Sequence, residues 1–175
     1  MSDTHLAVFP GTFDPLTLGH FDIIKRAAKI FDQVLIAVAN SPGKHTLLSL
    51  EDRVKAAREI CRDFDNATAE GFTGLLVDFL KKKQATILVR GVRTVADYDY
   101  EVQLAGMYRT MMPEMDIVML PTSGNLAFIS STLVREIIVH HGDISKFVPP
   151  AVNQMIRARY LLNLPQDPPI ARAHN

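Results

Sequence analysis

His20 closes the stretch Pro10-Gly11-Thr12-Phe13-Asp14-Pro15-Leu16-Thr17-Leu18-Gly19-His20, three residues after Thr17. A short apolar run, Leu6 to Phe9, precedes this stretch and a helical pattern follows it. A strand that passes through a small-residue turn into a helix makes an anion site. Unpaired backbone N–H groups and the positive end of the helix dipole converge there. Thr17 and His20 fall on one face of the first helical turn and add side-chain donors. Gly19, lacking a Cβ, leaves room for a phosphate to approach the backbone. The chemistry this suits is work on a phosphate ester, with an imidazole at the phosphate.

Two other segments suit the same ligand. Arg90-Gly91-Val92-Arg93 stands at the exit of an apolar run, and arginine binds phosphate oxygens through two parallel hydrogen bonds. Lys44 follows another such run. Arg90 and Arg93 also read as a pair of surface arginines in ion pairs with Asp97 or Asp99. Phe128-Ile129-Ser130-Ser131-Thr132-Leu133-Val134-Arg135 opens a helix with three hydroxylated residues, where a plain N-cap needs one. Arg135 lies in the first turn, where the dipole disfavours a cation, and a bound polyphosphate would remove that penalty. Two helix N-termini, one with His20 and one with Ser130 to Thr132, are expected to grip one triphosphate.

The elements that must position these residues alternate. Strands are expected at Leu6 to Phe9, Val34 to Ala39, Ala67 to Phe72, Thr86 to Arg90 and Ile117 to Leu120. Between them, Ser49-Leu50-Glu51-Asp52 reads as a helix start with a capping-box pattern. Leu75 to Lys83 is a short helix, and Val95 to Met112 a long one stopped by Pro113. Ser131 to His141 is helical with Gly142 as its C-cap residue, and Ala151 to Leu162 is the last helix. This order predicts an α/β fold: a single Rossmann-like, doubly wound domain over residues 1–162 with a five-stranded parallel sheet. Ligands of such sheets bind beyond the carboxyl ends of the strands, which gathers all three segments around one cleft. Residues 163–175 are expected to form a Pro-rich polar tail.

Composition narrows the classes. The chain has 175 residues, enough for one domain with its own core. Its 19 Lys and Arg balance 19 Asp and Glu, which argues against a general nucleic-acid binder. The single cysteine, Cys61, excludes an intramolecular disulfide and reads as a buried small hydrophobe. No signal-peptide pattern opens the chain, and no apolar run approaches the ~20 residues of a membrane span. A soluble cytoplasmic protein is expected, with no membrane partner. Gly43-Lys44 is followed by His45 and lacks the spacing of a Walker loop; no G-x-G-x-x-G follows the first strand. Nicotinamide and flavin readings are weak for that reason. Asp97, Asp99 and Glu101 suit the start of a helix without any ligand, and no fixed metal site is expected. Met107, Met111, Met112, Met115 and Met119 read as core or subunit contacts.

The turn Pro10 to Pro15, the signature Thr17-x-Gly19-His20 and the helix start Ile129-Ser130-Ser131-Thr132 resemble the nucleotidyltransferase superfamily. The segment Arg90-Gly91-Val92-Arg93-Thr94-Val95-Ala96-Asp97-Tyr98-Asp99-Tyr100-Glu101 narrows the resemblance to the bacterial phosphopantetheine adenylyltransferase family. That resemblance implies transfer of the adenylyl group of ATP to 4′-phosphopantetheine, giving dephospho-coenzyme A and pyrophosphate, with magnesium carried on ATP. It implies catalytic roles for His20, Lys44 and Arg93. Thr12, Phe13, His20, Gly91, Val92, Arg93, Glu101, Leu126, Ala127, Phe128, Ile129, Ser130, Ser131 and Thr132 would contact ATP. Thr12, Lys44, Leu76 and Arg90 would hold the acceptor. It further implies a homohexamer inhibited by coenzyme A. The alternatives are a sister transferase with another acceptor, such as nicotinamide mononucleotide or glycerol phosphate, and a nucleotide-binding module without turnover.

Overall fold

Val34 to Val38 is apolar at every position. Successive side chains of a strand point to opposite faces, so such a run needs cover on both sides. The computed structural model describes residues 5–43 and 45–161; Lys44 and the expected tail lie outside the described residues. Strands β1 (Leu6–Gly11), β2 (Gln33–Ala39), β3 (Ala67–Phe72), β4 (Ile87–Val92) and β5 (Asp116–Pro121) form one parallel sheet in the order β3-β2-β1-β4-β5. The connections carry helices α1 (Leu18–Ile30), α2 (Leu50–Cys61), α3 (Leu76–Lys83) and α4 (Val95–Met111). Helices α5 (Ser131–Val139) and α6 (Pro150–Ile156) follow β5.

The period-2 alternation of the strands sorts the core into two layers. Ala7 and Phe9 of β1, with Val34, Ile36 and Val38 of β2, pack against α1, α2, α5 and α6. Val8, Leu35 and Ala37 face the other side, with Leu76, Val77, Phe79 and Leu80 of α3, and Met112 and Met115 beyond α4. The sheet is therefore covered on both faces, as the sequence predicts. The strand order turns back between β1 and β4, and a crevice opens beyond their carboxyl ends at such a point.

Several boundaries differ from the sequence expectation. β4 runs on to Val92, with Arg90 paired to Met119 and Gly91 to Leu120, so Arg90 projects from the strand itself. The last helix changes to a π-type turn at Arg157–Leu161. α4 buries only Glu101, leaving Val95, Tyr98, Tyr100, Val102, Met107 and Met111 exposed. Cys61 is buried, and burial pushes its thiol up to about 11, so it stays protonated at neutral pH. No helix among the described residues is long and apolar enough to cross a membrane.

α5 ends two residues earlier than Gly142 suggests. His141 takes the left-handed conformation at φ 59°. The amide of His141 donates to Ile138 O at 3.0 Å and that of Gly142 to Ile137 O at 2.8 Å, the two bonds of a Schellman motif. Gly142 is needed for a different reason. A Cβ there would stand 2.6 Å from Ile137 Cγ2. The two neighbours should therefore respond oppositely. Gly142→Ala should destabilise the protein by about 1–3 kcal/mol through overpacking. His141→Gly should stabilise it by about 0.5–1 kcal/mol by relieving the left-handed side chain. Urea unfolding of both variants tests this, and shifts of the same sign would contradict it.

Candidate active site

β1 delivers the chain to a turn in which Phe13 takes a left-handed backbone at φ 50° and Asp14-Pro15 is cis. α1 then starts at Thr17, its N-cap. Thr17 Oγ1 accepts from the His20 backbone N–H at 3.4 Å, and the Thr17 backbone N–H donates to His20 Nδ1 at 3.0 Å. This is a reciprocal capping box with histidine where Glu or Gln is usual. Nδ1 accepts a hydrogen bond from an amide, so it carries no proton, and in the neutral ring the proton resides on Nε2. The Thr17 hydroxyl, 3.1 Å from the same Nδ1, can then only donate to it. Thr17 is thus occupied with holding the ring, rather than offering a second donor to a ligand as the sequence suggested.

Aromatic packing fixes the ring plane. The Phe13 ring stands edge-on to the imidazole at 5.0 Å, and Phe9 lies at 6.4 Å. The His20 pKa falls to about 4, first because burial penalises the charged form, then because of the Arg93 and Arg90 guanidinium groups. Near neutral pH the side chain is a neutral N–H donor through Nε2, the nitrogen left for the cleft.

Both arginines arrive from β4 and its exit. Arg90 is clamped by Glu101, with Nε 2.7 Å from Oε2 and Nη2 2.6 Å from Oε1, and its Nη1 donates to Pro10 O at 3.2 Å. Its acid is Glu101, not the Asp97 or Asp99 that sequence proximity suggested. Asp97 instead holds Arg93, at 3.1 Å from Nε, while Arg93 Nη1 donates to Ile129 O at 3.2 Å. That last bond ties the exit of β4 to the approach of α5.

At α5, Ser130 is the N-cap and accepts from the Leu133 N–H at 3.2 Å. Ser131 donates to Pro15 O at 2.8 Å, and Thr132 Oγ1 accepts from Arg135 Nη2 at 3.2 Å. The Ser131 hydroxyl proton is therefore committed to the first turn, while Ser130 and Thr132 keep theirs to give. Arg135 does not depend on a polyphosphate for its place in the first turn. Its Nη1 donates to Asp14 O at 2.6 Å and lies 3.8 Å from the Asp14 carboxylate.

A cleft of about 680 Å³ opens among these groups. Of the residues singled out in the sequence, Thr12, Phe13, His20, Leu76, Arg90, Gly91, Arg93, Glu101, Ile129, Ser130, Ser131 and Thr132 line it. Gly19 lines it too. A Cβ there would meet Thr17 Oγ1 at 3.6 Å and Thr122 Cγ2 at 3.7 Å, which are ordinary contacts, so packing inside the protein does not demand glycine. Val92, Leu126, Ala127 and Phe128 are not among the lining residues. Leu126 packs against the core, and Phe128 is 65 % exposed. A second recess of about 470 Å³ lies between His45-Thr46 and the start of α5. Thr12, Phe13, His20, Ser131 and Thr132 belong to both, which puts the imidazole at the junction.

Sequence reasoning gave no site role to Phe72, Tyr100, Leu104 and Tyr108, which stand in the cleft wall. It also passed over Arg53 and the role of Asp14 beneath it. Arg53 left one signal. It lies on the apolar stripe of α2 with Ala57 and Ile60, where the 3.6 period calls for a core residue. Among the described residues, no group of three or more His, Cys, Asp or Glu gathers that could hold a metal ion.

Comparison with known proteins places this geometry. The cytidylyltransferase-like family model matches residues 8–137. A phosphopantetheine adenylyltransferase of Tolumonas auensis is 58 % identical over 154 residues, which cover 88 % of this chain and 94 % of that protein. Among solved structures, a protein of Vibrio parahaemolyticus provisionally assigned as a nicotinate-nucleotide adenylyltransferase superposes with a TM-score of 0.70. The match is 20 % identical and covers 90 % of this chain and 94 % of that one. At that identity the likeness speaks for the fold.

The locked ring makes a spectroscopic prediction. Nitrogen-15 shifts of His20 should report a bare Nδ1 and a protonated Nε2, with a titration midpoint near 4 rather than 6.5. The unfolded chain then binds the proton more readily than the folded one. The ring's contribution to stability is full above pH ~6.5 and declines as pH falls from there toward ~4. A midpoint near 6.5, or a proton on Nδ1, would contradict the assignment.

Proposed function

The chain belongs to the phosphopantetheine adenylyltransferase family of cytidylyltransferase-like proteins, and from that premise we propose that His20 faces the phosphorus that changes partners. The enzyme transfers the adenylyl group of ATP to 4′-phosphopantetheine, forming dephospho-coenzyme A and pyrophosphate. The observation that supports His20 in this role is its tautomer. Nδ1 is held by the Thr17 amide, which leaves Nε2–H to donate where two recesses meet.

The acceptor is itself a phosphate and already nucleophilic at neutral pH, so the reaction needs no covalent enzyme intermediate and no strong base. The protein's work is to align acceptor and α-phosphorus for in-line displacement and to stabilise the charge that builds up. His20 donates to an α-phosphate oxygen as negative charge develops. Lys44, Arg90, Leu76 and Thr12 receive the acceptor. Arg93 and the Ser130 to Thr132 helix start take the departing pyrophosphate, helped by backbone N–H groups and the dipole. Glu101 and the segment from Leu126 to Ile129 complete the nucleotide side, with Phe13, Gly91 and Val92. The described residues do not supply a fixed cage for magnesium. The ion comes with ATP, bound to its phosphates, and no step here is assigned to it.

The finer properties of the family belong to the same proposal. The exposed apolar residues of α4, Val95, Val102, Met107 and Met111 among them, support burial against other subunits in a homohexamer. Coenzyme A, which contains the pantetheine arm, acts as a feedback inhibitor in the same cleft. The reaction takes place in the cytoplasm.

Pyrophosphate release from ATP in the presence of 4′-phosphopantetheine, nicotinamide mononucleotide or glycerol phosphate tests the acceptor directly. Turnover is expected with the first alone, and turnover with another acceptor would overturn the assignment. His20→Ala should lower kcat by roughly 10²–10³, as removal of a preorganised donor to a developing oxyanion does; near-normal turnover would remove His20 from the reaction. Arg90→Ala should raise the KM for the acceptor more than that for ATP. The opposite order would mean that the two subsites are exchanged.

A further inference from the structure

Arg53 is 1 % exposed, and among the described residues its guanidinium donates to backbone carbonyls. Nε binds Leu48 O at 3.2 Å, and Nη1 binds Thr12 O at 2.7 Å and Ala39 O at 2.8 Å. Among the described residues, no carboxylate lies within ion-pairing distance of it. These carbonyls belong to three separate stretches: the turn after β1, the last residue of β2, and the segment just before α2. Asp14, 2 % exposed, completes the arrangement from the opposite side. Its two oxygens accept from the amides of Leu47 and Leu48 at 2.8 and 2.9 Å. Leu48 is thus held at both of its peptide groups, by Arg53 at the carbonyl and Asp14 at the amide.

A leucine or methionine would fill this place on the apolar stripe of α2 without the desolvation penalty of a buried charge. What only an arginine fork provides is several fixed donors in one plane. Here they join the two ends of the segment between Ala39 and Leu48 to Thr12. That segment contains Lys44 in its sequence, and Thr12 lines the cleft beside His20.

We propose that Arg53 is a positioning residue for adenylyl transfer, whose guanidinium sets the spacing between the Thr12 turn and the segment from Ala39 to Leu48. This rests on the reading of that side of the cleft as the acceptor side. Arg53 touches neither reactant. It acts through two carbonyls that bracket one recess wall and a third in the turn that carries Thr12. On the nucleotide side, the bonds that hold Arg93, to Asp97 and to Ile129 O, do not involve Arg53.

The test uses the full-length protein with Arg53→Met and Arg53→Lys. Each variant is assayed at a temperature where circular dichroism shows it folded. Arg53→Met should lower kcat/KM for 4′-phosphopantetheine by about 10²-fold, the scale of an ångström-sized misplacement, with the KM for ATP changed by less than about threefold. Arg53→Lys, which keeps a donor but not the fork, should fall between the two. Hydrogen exchange at the Leu47 and Leu48 amides should accelerate in both variants while the β1 and β2 amides stay protected. Asp14→Asn, which replaces one accepting oxygen by a donating amide NH2, should show the same split at smaller size and serves if Arg53→Met does not fold. Unchanged exchange at Leu47 and Leu48 overturns the proposal. So does an equal loss for both reactants, which is what a purely structural role would give. Wild-type protein inert toward 4′-phosphopantetheine overturns the functional reading instead, and the exchange measurement still decides whether Arg53 fixes the segment.

Discussion

One hydrogen bond, from the Thr17 amide to His20 Nδ1 at 3.0 Å, sets the chemical identity of the site. It makes the imidazole a donor at Nε2 and only there. The bond exists because α1 begins at Thr17, and α1 begins there because the turn after β1 ends in a residue that can cap. Helix start, tautomer and ring orientation are then one structural event. Burial, and after it the nearby Arg93 and Arg90 guanidinium groups, keep the ring neutral. A neutral donor can bind a phosphate oxygen without first gaining a proton, and the bond strengthens as charge grows on that oxygen.

Around this donor the cations are held by acids before any ligand arrives. Glu101 grips Arg90 in a two-pronged pair, and Asp97 steadies Arg93 from one turn along α4. A chain with balanced charge can in this way concentrate positive groups in a cleft without destabilising the fold. Both cations are preorganised by acids of α4, and each also donates to a carbonyl elsewhere in the site, Arg90 to Pro10 O and Arg93 to Ile129 O. Pro10 O, Pro15 O, Asp14 O and Ile129 O all accept from side chains of the site. The turn after β1 is consequently built from its neighbours as much as from its own sequence.

How far the sequence discloses this depends on the range of each interaction. Alternating apolar runs disclose the five strands and their two-sided burial, because period and burial are local consequences of composition. The cap at Ser49 and the hydroxylated start of α5 are legible for the same reason, whereas Thr17 reads in the sequence as a ligand donor and proves to be the cap of α1. The Arg93–Asp97 pair is within reach of the sequence, because the two residues stand four apart across the start of α4. The Arg90–Glu101 pair is not, because it spans a strand and a helix and depends on how they dock. His141 hides the end of α5, since a histidine in the left-handed region leaves no mark that a glycine would. Arg53 shows only as a charge on an apolar stripe, and its three carbonyl partners come together only in the folded sheet. Lys44, plain in the sequence, lies outside the described residues.

The most direct measurement is a crystal structure with a non-hydrolysable ATP analogue bound. The account requires His20 Nε2 within hydrogen-bonding distance of an α-phosphate oxygen, with Nδ1 still on the Thr17 amide. A triphosphate seated away from His20, or a ring rotated to bind phosphate through Nδ1, would contradict it.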